Sequence, residues 1–89
     1  MVEVKITERA RRFGYVFWTF RQDDEMAKLL GDRNAVDLVF MNASHGHKNV
    51  DRRYRRISIG ARWTKPLPES KKVFVLKMLK PNTLEIQCR

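Results

Sequence analysis

The stretch VFVLKMLKPNTLEIQC, Val73–Cys88, constrains the fold more than any other. Two runs of strand-forming residues flank KPNT, which puts Pro81 and Asn82 at the centre of a tight turn. In the second run Leu84, Ile86 and Cys88 share one face, and Thr83, Glu85 and Gln87 share the other. The first run is apolar on both faces; a strand on either side of a tight turn predicts a β-hairpin. A lone hairpin is marginal in water, so the rest of the chain must supply a sheet to receive it.

The same period recurs upstream. Val2, Val4 and Ile6 alternate with Glu3, Lys5 and Thr7, a half-buried strand. FGYVFWTF, residues 13–20, is aromatic and β-branched on both faces. It reads as a central strand, with Gly14 marking a bulge or a close backbone approach. In VDLVFMN, Val36, Leu38 and Phe40 share one face. A further strand is expected from about Arg55 to Trp63, with Ile57, Ile59, Ala61 and Trp63 inward and Tyr54, Arg56, Ser58, Gly60 and Arg62 outward. On this parity Trp63 belongs to the core, as do Phe17 and Trp18. ERARR, residues 8–12, reads as a charged connector or a single helical turn.

One segment has helical spacing. In DDEMAKLLG, acidic residues crowd the first turn, where the helix dipole favours them. Met26, Leu29 and Leu30 form a stripe, and Gly31 is a stop. The expected order is β-β-α-β-β-β-β. That predicts an α+β, mostly β fold: a twisted, mainly antiparallel sheet or small barrel of five to six strands, with one short helix at about 23–30. The segment through the helix is the place for a parallel crossover. At 89 residues, with nine aromatics to fill a core, residues 1–89 are expected to form a single domain.

Cys88 is the only cysteine, so no internal disulfide forms. The N-terminus has no apolar core of a secretory signal, and no window is long and apolar enough for a membrane span. A cytoplasmic protein with no membrane partner is expected.

The net charge is +9, and it is unevenly placed. Residues 1–42 hold seven Lys/Arg against seven Asp/Glu; residues 43–89 hold twelve against three. Charge segregated in this way points to a polyanion, DNA or RNA, as partner. The densest run is DRRYRRISIGARWTK, Asp51–Lys65. Outward side chains on a strand repeat every 6–7 Å or so, close to the spacing of successive phosphates. Arg also grips phosphate with paired hydrogen bonds. The candidate nucleic-acid-binding residues are therefore Lys48, Arg52, Arg53, Tyr54, Arg55, Arg56, Arg62 and Lys65. They are spread over a polar loop, residues 44–56, and the strand that follows. Tyr54 and Tyr15 suit base stacking, because a phenol tolerates half-exposure. Arg9, Arg11 and Arg12 either extend a phosphate-binding surface or solvate a turn.

SHGHKN sets His45 and His47 two apart. Zinc wants three or four ligands, and no spacing ties Cys88 or Asp51 to the pair, so no metal and no cofactor is assigned. Two histidines beside arginines can also cleave RNA by general acid–base catalysis, which leaves a small basic ribonuclease as one alternative function. An adaptor or inhibitor docking on an acidic protein is another. No catalytic residue is assigned; phosphate-loop, zinc-cysteine and nucleophile-elbow signatures are absent. The one expected helix is short and acidic at its start, which excludes a helix-turn-helix. An open sheet edge admits either a monomer or a homodimer.

The tail RRISIGARWTKPLPESKKVFVLKMLKPNTLEIQC resembles that of swapped-hairpin DNA-binding regulators. They too carry a strand, a short turn and a closing hairpin with an aliphatic–acidic–aliphatic triplet, here Leu84-Glu85-Ile86. The likeness covers less than half of the chain. Gly60 and Ala61 stand where those regulators have proline, and no family is assigned on it.

Overall fold

Seven strands form one sheet in the order β1-β6-β7-β3-β4-β5-β2 in a computed structural model that describes Met1–Arg89. The strands are β1 (Val2–Lys5), β2 (Tyr15–Phe17), β3 (Ala35–Phe40), β4 (Ala43–Asp51), β5 (Arg56–Ser58), β6 (Val73–Lys80) and β7 (Thr83–Cys88). Three short helices complete the fold: α1 (Glu8–Phe13), α2 (Asp23–Leu30) and α3 (Ala61–Thr64). All pairings are antiparallel except β3 with β7. The end strands β1 and β2 come back near each other, so the sheet curls into an almost closed barrel. The fold is α+β and mostly β, as the alternation predicts, with one strand more than the expected range.

The inward face of each strand is the apolar parity set. Val2, Val4, Val16, Val36, Leu38, Phe40, Ile57, Phe74, Leu76, Leu84 and Ile86 are all buried. Each such side chain contributes about 1.5–3 kcal/mol on leaving water. The helix α2 sits at the predicted place and lays Met26 and Leu30 on this core against β1 and β6. The closing hairpin forms as expected, with Leu76 opposite Ile86 and an irregularity between Met78 and Lys80. The free edge of β1 is partly covered, since the Gln22 amide donates to the Glu3 carbonyl at 2.8 Å.

Four local expectations are corrected. The stretch 44–56 is not a long loop. Ala43–Asp51 is the extra strand, pairing along the whole of β3 from Ala35↔Asn49 to Phe40↔Ala43. Its polar composition hid it, because only Val50 is buried and most of the strand is exposed. The loop shrinks to Arg52–Arg55. The parallel pair also lies elsewhere than through α2, between β3 and β7.

FGYVFWTF is not a central strand. Glu8–Phe13 is helical, capped by the Thr7 hydroxyl, which accepts the Ala10 N–H at 3.0 Å. Gly14 ends that helix in the left-handed region, at φ 76°, and the strand that follows is three residues long at the end of the sheet.

The strand expected from Arg55 to Trp63 stops at Ser58. The N–H groups of Ile59 and Gly60 both donate to the Gly14 carbonyl, and Gly60 turns at φ 118° into α3. The turn breaks the alternation. Trp63 is therefore 47% exposed rather than core, and Arg62 leaves the face of Arg56. Trp18 does reach the core, with its indole N–H donating to Asp23 at 3.0 Å; Phe17 is half-buried against it.

A candidate nucleic-acid interface on the outer face of β2 and β5

The register of β2 and β5 decides what faces outward. Val16 pairs with Ile57 and both point into the core. The flanking pairs Tyr15↔Ser58 and Phe17↔Arg56 then lie on the outside. On the next strand Asp51 pairs with Arg56, which adds Asp51 to the same face.

Aromatic rings and guanidinium groups alternate across this surface. The Arg9 guanidinium, delivered by α1, sits 4.0 Å from the Phe17 centroid. Phe17 and Tyr15 are 5.3 Å apart and tilted by 45°. Arg56 follows, 4.7 Å from Tyr15 and 5.1 Å from Tyr54. Arg53 lies 5.4 Å from Tyr54. At the other end Arg12 lies 5.5 Å from Phe13. One open depression is lined by Arg9, Phe13, Tyr15, Phe17 and Arg56. A second shares Tyr15 and Arg56 and extends over Ser58 to His47, Lys48, Asn49 and Asp51 on β4.

Asp51 is the one carboxylate lining these depressions, and it has an organising role. One of its oxygens accepts the Tyr54 N–H at 3.0 Å; the other accepts Arg56 Nε at 3.2 Å. It thereby fixes the hairpin turn that presents Tyr54, and it orients Arg56. The bond uses Nε alone, so the terminal nitrogens of Arg56 have no protein partner. Arg9, Arg12 and Arg53 make no side-chain hydrogen bond or ion pair at all. Guanidinium groups stacked on rings but without an anion are ready to take one.

The residues singled out from the sequence divide into two groups. Arg53, Tyr54, Arg56 and Lys48 reach this surface. Arg52 turns away and donates to the Gly31 and Arg33 carbonyls at 2.8 and 2.7 Å, just past the C-terminus of α2. Arg55 makes a two-pronged ion pair with Asp23, with contacts of 3.0 to 3.2 Å. The Arg55 hydrogen bond, and then that from Trp18, hold the Asp23 carboxyl below its ordinary value. Arg62 lies over Trp63 at 5.2 Å, and Lys65 caps α3; neither lines the depressions. Arg11 is structural, donating to the carbonyls of Leu67, Pro68 and Lys71.

Phe13 and Phe17 join the site unforeseen, with Arg9 and Arg12, for which the sequence left open a phosphate-binding or a turn-solvating role. A signal was there: Phe13, Phe20, Tyr54 and Trp63 are the exposed aromatics, and each has an adjacent arginine in the chain. All four arginines lie 5.2 to 5.6 Å from the neighbouring ring.

The two histidines do not share a site. The pairing of β3 with β4 shifts between Leu38 and Val39, so Leu38 meets Gly46 and Val39 meets Ser44. His45 is the extra residue of this bulge. Its ring packs edge-on against Phe40 of the core at 5.6 Å and against Trp63 at 4.9 Å. Burial, and then the charge of Lys48, hold it below the ordinary histidine value. His47 pairs with Asp37 on the outer face, at 3.3 Å. No group of three potential metal ligands forms anywhere in the chain. No helix is long and apolar enough to cross a membrane.

Comparison with known protein families, with curated proteins and with solved structures finds no match to this chain.

Proposed function

We propose that this chain binds nucleic acid through the outer face of β2 and β5, gripping phosphates with Arg9, Arg12, Arg53 and Arg56. The observation that carries this reading is the run Arg9–Phe17–Tyr15–Arg56–Tyr54–Arg53, in which each group contacts the next and two of the three arginines, Arg9 and Arg53, have no anionic partner. Lys48 adds to the positive field at the rim. The acidic-protein alternative would use the same arginines, and exposed rings suit a protein interface too, so the two readings part on whether nuclease treatment removes the partner. The ribonuclease alternative loses its paired histidines, since His45 and His47 make contacts on opposite faces of the sheet.

The test is anisotropy of a labelled oligonucleotide against salt. Each neutralised phosphate adds about 0.7 to 0.9 to the slope of log affinity on log salt. Four arginines therefore predict a loss of roughly 50- to 150-fold between about 50 and about 200 mM salt. Affinity that stays flat over this range, or a soluble acidic protein that remains bound after nuclease treatment and competes at this face, would count against the reading.

A further inference from the structure

We infer that the partner is an unpaired strand, DNA or RNA, and not a duplex; this rests on the nucleic-acid reading above. Three observations carry the inference. First, the surface offers ring faces as well as cations. Phe13 and Tyr54 stand 56% and 57% exposed at the two ends of the depression system, beside Arg12 and Arg53. A duplex keeps the faces of its bases stacked on one another, and it would leave these rings in water. An unpaired base offers its own face to them.

Second, no element beside the site is shaped to enter a groove. The helix beside the site, α1, has six residues and α3 has four, and the loop carrying Tyr54 is a tight turn of four residues. A duplex reader needs an exposed helix or a two-stranded ribbon long enough to reach base edges.

Third, the spacing suits a single strand. The contacts from Arg9 to Arg53 advance in five steps of 4.0 to 5.4 Å, with cation and ring in alternation over most of the path. That order allows phosphates and bases to be met in turn. Laid end to end, these steps reach no further than about four nucleotides, the short end of the range for small barrels.

The experiment measures binding of oligo(dU), oligo(U) and a duplex of equal length at one salt concentration, with the wild-type chain and the Tyr54→Ala, Tyr54→Phe and Phe13→Ala variants. Both rings are exposed, so the variants should fold, and circular dichroism checks this. The unpaired strands should bind at least about 10-fold more tightly than the duplex; oligo(dU) beside oligo(U), which differ in the sugar alone, identifies the sugar. Removing one stacking ring should weaken single-strand binding by about 5-fold or more without changing the salt slope, and Tyr54→Phe should restore it. Duplex binding as tight as single-strand binding, or Tyr54→Ala and Phe13→Ala variants that bind like the wild type, would overturn the single-strand inference and leave nucleic-acid binding standing. Absence of binding to all three ligands would overturn both.

Discussion

The guanidinium of Arg9 lies 4.0 Å from the centre of the Phe17 ring, although one sits on a helix and the other on the last residue of a strand beyond it. Gly14 makes this contact possible. It ends α1 in the left-handed region and brings the chain back, so that the helix lies along the strand it feeds.

Gly14 should therefore tolerate no side chain. A Cβ there would lie 2.1 Å from the Ala61 nitrogen and 2.4 Å from the Gly60 carbonyl carbon, both backbone atoms. Gly14→Ala should cost more than about 4 kcal/mol and abolish folding in a denaturant titration. Gly46, at φ 77° with nothing within 4 Å of its would-be Cβ, is the control: Gly46→Ala should cost only about 1–2 kcal/mol.

The arginines should separate by role. Arg9→Ala with Arg56→Ala should lower the salt slope of nucleic-acid binding by about 1.4 to 1.8 while leaving the denaturation midpoint nearly unchanged. Arg11→Ala should do the reverse. It removes charged donors from three carbonyls and should destabilise the fold by roughly 2–3 kcal/mol, with the salt slope intact. Arg52→Ala should resemble Arg11→Ala in direction, since its guanidinium holds the carbonyls of Gly31 and Arg33.

Asp51→Ala should weaken binding even though it removes a negative charge from the face. Simple electrostatics predicts tighter binding to a polyanion. The geometry predicts the opposite, because Asp51 fixes both the Tyr54 turn and the Arg56 side chain. Affinity at fixed salt, read beside Asp51→Asn, decides between them; the Asn amide oxygen can keep one of the two bonds.

Stability should fall as histidine 45 is protonated. Its folded value lies below the ordinary 6.5, so the unfolded chain takes up the proton first. The contribution is fully present above about 6.5 and is lost as pH falls through the lower folded value. The urea midpoint should drop between about pH 7 and about pH 5, and His45→Phe should remove that part of the dependence. An NMR titration should place the His45 ring below the ordinary value.

Much of the architecture was legible because the apolar alternation is clean where strands have one buried face. The runs through Val4, Leu38, Ile57 and Leu84 all point as their parity predicts. The strand Ala43–Asp51 was not legible, since its pairing is made by backbone groups and its outer side chains are polar on a solvated surface. Trp63 was misplaced because parity was carried through Gly60, and a glycine at φ 118° resets it. The site was half legible. Arg53, Tyr54 and Arg56 lie in one basic run, but Phe17 joins them only through the pairing of β2 with β5, and Arg9 and Phe13 only through the helix that leads into β2. Local charge density could not show that Arg52 and Arg55 are used up in internal bonds.

The most direct test is a map of backbone amide shifts as an unpaired oligonucleotide is titrated into the labelled chain. The largest changes should fall on Arg9, Phe13, Tyr15, Phe17, Arg53, Tyr54 and Arg56, with α2 and the β6–β7 hairpin unmoved. Changes centred on Arg62 and Lys65, on the β6–β7 hairpin, or nowhere would contradict the account.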